Sequence, residues 1–367
     1  MKFASFLAIY EKIEALVYRL PKGLQTPILT EIRPIKTLFL LRRPPRIVLT
    51  GPNGAGKAEL LAALFGADVL LPGEENLSDA RWQAIGRTGR GTLDLLDARR
   101  PASLPRLREA LSAKTPDLFV FVRGAQETEA ALNADLDHII QLLNLSTAGS
   151  SAGPKVLGLV LPSGSSAADT ESARQKLHGA LHTRPELSAR MVGTLALIPG
   201  ALDHRLAELI AVELPGEAQM EMARLSGNRA LQRQIAQVII KSMTAICTAI
   251  GAQPIPLADF PILTSLQGLM VAGIMHVSGR EMSTKLAGEF IAAVGANVGL
   301  GLALRETARA SVKLLPGWGN AISGAIAGAG TYSVGHAAVA FFVEGVSIKD
   351  ARNVFQRKKK DPLLLKS

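Results

Sequence analysis

The chain contains very little cysteine and few aromatic residues, and each shortage limits what the protein can be. Among its 367 residues Cys247 is the only cysteine, which excludes an internal disulfide and a cysteine-based zinc site. Aromatic residues make up 4% of the sequence and apolar residues 48%, so Ala, Leu, Ile and Val supply most of the apolar surface. This composition favours closely packed helices, and the length allows two domains. We expect Cys247 to be a small core side chain.

Positive charge exceeds negative charge, with a formal net charge of +10. Basic clusters lie at Arg42-Arg43, at Arg99-Arg100 and from Arg357 to Lys360. No aromatic residues are interleaved with them and no basic stripe follows a helix, so we do not expect a nucleic-acid partner. Two interpretations stay open: attraction to an anionic membrane surface, or a solvated tail that keeps the protein soluble.

A glycine-rich motif carries the clearest chemical signal, Gly51-Pro52-Asn53-Gly54-Ala55-Gly56-Lys57-Ala58. A β-branched apolar run, 46–50, predicts a strand before it, and residues 59–65 predict a helix after it. In this strand–loop–helix context, backbone N–H groups surround phosphate oxygens and Lys57 adds a charge. We therefore predict phosphate binding by Gly51, Asn53, Gly54, Ala55, Gly56, Lys57 and Ala58. Ala58 stands where a Ser or Thr hydroxyl would coordinate Mg²⁺.

The remaining pattern predicts an α/β domain followed by an all-helical one. Between residues 44 and 215, strands alternate with helices, which is typical of a mostly parallel sheet of six strands with helices on both faces. We predict strands at 46–50, 81–86, 92–98, 117–123, 155–162 and 191–198, and helices at 57–65, 103–113, 126–143, 167–182 and 203–213. An N-terminal amphipathic helical segment (1–43) precedes this domain. A glycine-rich helical domain (216–352), opening with one charged helix at 217–241, and a basic tail (353–367) follow it.

Residues 44–214 resemble the Era-like P-loop GTPases in the order of their elements, including a hairpin of the second and third strands. The resemblance implies that Asp97, at the end of the third strand, holds Mg²⁺ through water, and that GTP or ATP is the ligand. Arg100 replaces the glycine that the family has three residues later. The turn Pro162-Ser163-Gly164-Ser165 lacks the carboxylate that reads guanine, and Leu195 to Gly200 lacks the family's serine. The resemblance is thus to a degenerate member.

Residues 230–352 resemble a helical domain of unknown function that often follows Era-like GTPase domains in bacteria. The matching motifs are Gly251 to Gln267, Pro316-Gly317-Trp318-Gly319, and Gly324 to Tyr332 followed by Gly335. Gly324 and Gly328, like Gly295 and Gly299, have the four-residue spacing that lets helix backbones touch. The charge-free run 314–343 is long enough to cross a bilayer. Insertion in or attachment to a membrane, and a soluble bundle or oligomer core, both stay open. We expect His276 and His336 to be hydrogen-bonded inside this domain.

These features predict a degenerate GTPase-related protein that binds nucleotide at best. It would be a regulatory or scaffold module coupled to a membrane-associated helical domain, on the cytoplasmic side. One alternative is an active but divergent GTPase or ATPase, and another is a helical membrane protein with a purely structural P-loop domain. The expected partners are a nucleotide, a membrane surface or bilayer, and a second copy or another protein bound through the helical domain.

Overall fold

The computed structural model describes most of the chain: residues 22–52, 56–66, 80–87, 90–99, 103–146, 153–197, 204–252, 259–295 and 318–359, with 11, 14–15 and 17–18. Of the segment predicted to be an N-terminal amphipathic helix (1–43), residues 1–10, 12–13, 16 and 19–21 lie outside these residues, as do Asn53, Gly54 and Ala55. The chain forms two compact units. The sheet unit is Arg43–Asn228, and the helical unit joins Met1–Arg42 to Arg229–Ser367.

A six-stranded, mostly parallel sheet forms the sheet unit, which confirms the predicted α/β class. Its strand order is β2-β3-β1-β4-β5-β6, and only the β2–β3 pair among these strands is antiparallel. The strands are β1 (Arg46–Thr50), β2 (Trp82–Arg87), β3 (Gly91–Asp97), β4 (Leu118–Gly124), β5 (Lys155–Leu161) and β6 (Met191–Ala196). Each lies within two residues of its predicted bounds.

Helices surround this sheet and cover its apolar side chains. Val48, Phe119 and Val156, on three neighbouring strands, pack in one buried cluster with leucines of the helices that follow β3, β4 and β5. Every residue of β4 is buried, as expected for a continuous apolar run in the middle of a parallel sheet. The helices in this unit precede, link and follow the strands: α2 (Lys57–Phe65), α3 (Leu104–Ala113), α4 (Glu129–Ser146), α5 (Ala167–His182), α6 (Pro185–Ser188), α7 (His204–Glu213) and α8 (Gly216–Ser226). The helix α1 (Lys22–Phe39) precedes β1 in the chain and belongs to the helical unit.

The helical unit contains α1 (Lys22–Phe39), α9 (Arg229–Gly251), α10 (Asp259–Val277), α11 (Thr284–Gly295), α12 (Trp318–Ala338), a π-helical turn (Val339–Val343) and α13 (Ile348–Lys359). α1 lies inside the segment predicted as helical (1–43), although Pro27 and Pro34 lie within it. Buried side chains such as Ile28, Ile32 and Ile35 anchor this helix, which packs against α9. Tertiary burial thus outweighs the cost of the prolines.

One predicted helix is wrong in its extent. The charged helix expected at 217–241 is two helices, because Gly227 adopts a left-handed conformation with φ of 63° and ends α8. α8 packs against β3 and belongs to the sheet unit, beyond the domain boundary predicted at residue 215. Its buried Glu221 forms an ion pair with Arg224, with 3.1 Å between Oε1 and Nη1.

Close helix contact in the helical unit depends on the glycines of α12. A Cβ atom at Gly324 would lie 2.8 Å from the Thr248 backbone oxygen and 3.0 Å from the Ala252 Cβ. At Gly335 it would lie 2.6 Å from Ile240 Cγ1. α12 therefore packs directly against α9 along its glycine face, as the four-residue spacing predicts.

We predict that Gly324→Ala destabilises the helical unit by about 1–2 kcal/mol, because the added methyl group must displace backbone of α9. Gly330→Ala is the matched control, since a Cβ there meets no atom within 4 Å. It should stabilise the same helix by about 0.5–1 kcal/mol by removing backbone freedom from the unfolded chain. Urea unfolding followed by circular dichroism measures both, and equal effects would contradict the packing described.

Candidate functional site

The glycine-rich motif begins where β1 ends, at the carboxyl edge of the sheet. From β1 the chain continues to β2 and β3 on one side, and it then returns to β4 on the other side. β1 is therefore the point at which the strand order reverses. In open α/β sheets, ligands bind in the crevice outside the carboxyl ends of the strands at this point.

Two glycines of the motif are required by the space around them. Gly51 has φ of 126°, and a Cβ atom there would overlap the carbonyl oxygen of Val122 on β4. Gly56 has φ of 67°, and its Cβ would lie 2.7 Å from Leu161 Cδ1 on β5. Larger residues at either position would push the loop away from the sheet. The chain therefore passes close over β4 and enters α2 at Lys57.

Lys57 is buried beside Asp97, the residue that ends β3. Its side chain is 8% exposed, and Nζ lies 3.8 Å from Asp97 Oδ2. Nζ also donates a hydrogen bond to Gln83 Oε1 on β2, at 3.3 Å. Parallel pairing of β1 with β3 places Leu49 opposite Asp97 and so carries the carboxylate to the start of the motif. The fold thus joins two residues that are forty positions apart in the sequence.

Asp97 has a stronger partner in Arg99. Oδ1 accepts a hydrogen bond from Arg99 Nε at 2.9 Å, and Oδ2 accepts one from Arg99 Nη2 at 2.8 Å. The backbone N–H of Arg99 also points to Oδ1, at 3.3 Å. The side chains of Asp97 and Arg99 are only 9% and 11% exposed, so this bidentate ion pair is largely shielded from water.

The charges of this site act on one another. Burial lowers the pKa of Lys57, the Asp97 carboxylate raises it in part, and the Arg99 charge lowers it further. An anion bound beside this lysine would be stabilising, because a second negative charge would offset the free-energy cost of burying the ammonium group.

Of the predicted phosphate-binding residues, the structure describes four. Gly51, Gly56 and Lys57 lie together at the end of β1, and Ala58 is exposed on the first turn of α2. Asn53, Gly54 and Ala55 lie outside the described residues. Asp97 lies beside Lys57, so the structure brings the metal candidate and the phosphate candidate to one place.

Two members of the site were missed from the sequence. Gln83 gave no signal, since it is a single polar residue near the start of a strand at the edge of the sheet. Arg99 was assigned to a basic surface cluster, whereas the structure buries its guanidinium against Asp97. Arg43 behaves in the same way: within the sheet unit it donates two hydrogen bonds to Asp117, at 2.8 and 2.6 Å. These arginines compensate internal carboxylates, so the surface interpretation of their clusters is wrong for them.

The turn after β5, where the resembled family reads guanine, is compact in this chain. Ser163 and Gly164 both have positive φ, of 47° and 83°. A different carboxylate lies nearby: Glu127 Oε1 accepts a hydrogen bond from the Gly124 backbone N–H at 2.8 Å. Burial raises the pKa of Glu127, and the Arg123 guanidinium opposes that shift. The hydrogen bond to Gly124 ties Glu127 to the end of β4.

Polar groups of the helical unit are mostly built into its core. The Nε2 atom of His276 contacts the Arg42 guanidinium, which can only donate, so the ring nitrogen accepts. For His336 the expected hydrogen bond is absent at Nε2 among the residues that the structure describes. Burial and the Lys358 charge lower the pKa of His336 to about 4. Cys247 is fully buried, as predicted, and burial raises its pKa to about 12.

Within the described part of the chain, no group of three or more His, Cys, Asp or Glu side chains is arranged to hold a metal ion. No protein-family model matches this chain, and no curated protein matches it either. The arrangement at the end of β1 consists of a glycine-lined turn, a buried lysine, and a carboxylate that forms an ion pair with an arginine.

We predict that Asp97→Asn destabilises the sheet unit by about 3 kcal/mol, because it leaves Lys57 and Arg99 buried without their carboxylate. Asp137→Asn is the matched control, since Asp137 is 57% exposed and its ion pair with Arg184 lies at the surface. That change should cost less than about 1 kcal/mol. Chemical denaturation of both variants provides the comparison, and a loss at Asp97 as small as that at Asp137 would contradict the buried network.

Proposed function

We propose that the sheet unit is a degenerate, GTPase-like P-loop module that binds the phosphates of a nucleotide. The observation that carries this proposal is the meeting of Gly51, Gly56, Lys57 and Asp97 at the carboxyl end of β1, where the strand order reverses. A phosphate at this point would accept hydrogen bonds from backbone N–H groups. It would also be attracted by the positive end of the α2 dipole and by the Lys57 ammonium group. These are the interactions that an anionic ligand needs.

Slow turnover is the second part of the proposal. Rapid phosphoryl transfer needs neutralisation of the γ-phosphate and a positioned water molecule. Here Ala58 offers no hydroxyl, and the turn 162–165 offers no carboxylate to select guanine. The module therefore binds GTP or ATP with little preference and serves a regulatory or scaffold role. Any hydrolysis of the bound nucleotide is slow, and binding is the main activity of the module.

The helical unit is proposed to attach this module to the cytoplasmic face of a membrane. Arg229–Gly251 and Gly324–Val343 are long and apolar enough to cross a bilayer, but 56% and 67% of these segments are buried inside the unit. Because they already pack on one another, we favour attachment at the membrane surface over insertion. The last turn of α13 carries Arg357, Lys358 and Lys359, which would face anionic headgroups. A second copy is the alternative partner for this unit.

We predict that Lys57→Ala weakens nucleotide binding at least about tenfold, or about 1.4 kcal/mol, because the loop loses its charged side chain. Lys176→Ala is the control, since it removes the same charge from an exposed position on α5. Titration with fluorescent GTP and ATP analogues measures both. Unchanged affinity in the Lys57 variant would mean that the loop does not bind phosphate, and would favour a purely structural sheet unit.

We predict little preference between GTP and ATP, and turnover far below the roughly 1–100 per second of kinases. The physical reasons are the missing base-reading carboxylate and the missing hydroxyl at position 58. Phosphate release from each nucleotide is the measurement, with Lys57→Ala as the background control. Rapid, guanine-selective hydrolysis would replace this proposal with that of an active GTPase.

We predict that the full chain sediments with anionic vesicles and much less with neutral ones. Replacing Arg357, Lys358 and Lys359 by Gln should weaken this binding by up to about 3 kcal/mol, roughly a hundredfold. The control removes three exposed charges from the sheet unit instead: Arg81→Gln, Arg108→Gln and Lys176→Gln. If the protein sediments with neither type of vesicle and forms a defined dimer, a second copy is the partner of the helical unit.

A further inference from the structure

Asp97 is the carboxylate that the resemblance assigns to Mg²⁺, yet both of its oxygens are already engaged. Arg99 donates to Oδ1 through Nε and to Oδ2 through Nη2, at 2.9 and 2.8 Å. Oδ2 is also 3.8 Å from Lys57 Nζ. A hydrated metal ion would have to displace a guanidinium from a nearly buried, bidentate pair, which is costly because the freed charges would lose their compensation.

At position 58 the loop supplies no metal ligand either. Ala58 has no side-chain oxygen, so the direct ligand that a Ser or Thr provides in such loops is missing. The residues present therefore do not fit Mg²⁺ in the way that the resemblance implies.

The same residues already carry the charge that an anion requires. Lys57 and Arg99 are cationic and Asp97 is anionic, which gives this cluster a net charge of one positive unit. Because both cations bind the Asp97 Oδ2 atom, the guanidinium and the ammonium group are neighbours. Arg99 is moreover the better cation to bury, since a guanidinium stays charged and is more weakly hydrated than an ammonium.

Building on the proposed function, we propose that this site binds nucleotide phosphates without a divalent cation, with Arg99, held in place by Asp97, supplying the positive charge that Mg²⁺ supplies in related sites. The role of Asp97 is then to orient and bury the arginine. It is a positioning residue for Arg99 and not a metal ligand.

The test is a titration of the full chain with fluorescent GTP and ATP analogues, in Mg²⁺ and in EDTA. We expect the two dissociation constants to agree within about threefold, since no metal ion takes part. Binding that requires Mg²⁺ would overturn this inference and leave the proposed function intact. Absence of binding in both conditions would overturn the proposed function, and this inference with it.

Substitution of the arginine gives a second, independent readout. In EDTA, Arg99→Gln should bind about tenfold more weakly, because Asp97 now repels the phosphates. Mg²⁺ should restore much of this loss, since the released carboxylate can hold the metal through water. Arg99→Lys should keep metal-independent binding in part, because it keeps the charge but not the planar fork. Arg108→Gln, an exposed change on α3, is the charge-matched control and should behave like the unmodified chain.

A double variant covers the case in which Arg99→Gln does not fold. Asp97→Asn with Arg99→Gln replaces the buried ion pair by two neutral amides that can hydrogen-bond to one another. Its binding in EDTA should be weakened, and Mg²⁺ should not restore it, because no carboxylate is left. If the double variant binds in EDTA as well as the unmodified chain does, Arg99 has no part in phosphate binding and the inference fails.

Discussion

Compensation of one buried carboxylate, Asp97, determines the chemistry at the end of the central strand. Lys57 and Arg99 both approach it, and neither has more than about a tenth of its side chain exposed. Removing a charge from such a cluster is expensive, whereas adding an anion beside two cations is favourable. The same ion network joins Lys57, β2 and β3, and it is the reason why we propose this edge of the sheet as an anion-binding site.

The close approach of the loop to the sheet depends on two glycines. Gly51 and Gly56 let the chain pass against β4 and β5 at distances that any side chain would prevent. β4 can occupy this central place because all seven of its residues are buried and apolar packing covers both of its faces. The rigid sheet fixes the position of the loop, and the loop fixes the start of α2. A site for phosphate needs this kind of support, since its backbone donors must point to one spot.

The helical unit uses glycine for a different purpose. Gly324 and Gly335 bring α12 into direct contact with α9, so the two described helical segments that are long and apolar enough to cross a bilayer cover one another. This contact explains why length and hydropathy alone do not decide between a membrane segment and a core helix. The exposed fraction matters more, and over half of each segment is already covered by its own unit. The basic last turn of α13 is therefore the feature on which the proposed anionic partner rests.

The sequence alone determined the α/β class, the positions of the strands and the glycine motif, because alternation of apolar runs and turn residues is a local property. Lys57 was a candidate from the glycine motif, and Asp97 was a candidate through the resemblance to the Era-like GTPases. Only the tertiary structure decided that Arg99 is buried against Asp97 and that Gln83 joins the site, because burial at this edge and the Lys57–Gln83 contact depend on the pairing of β1, β2 and β3. It likewise decided that α1 forms despite its prolines and that a left-handed Gly227 divides the expected helix after the sheet. The burial of Arg99 and α1 and the contact of Gln83 depend on segments that are distant in the sequence, and a local pattern does not contain that information.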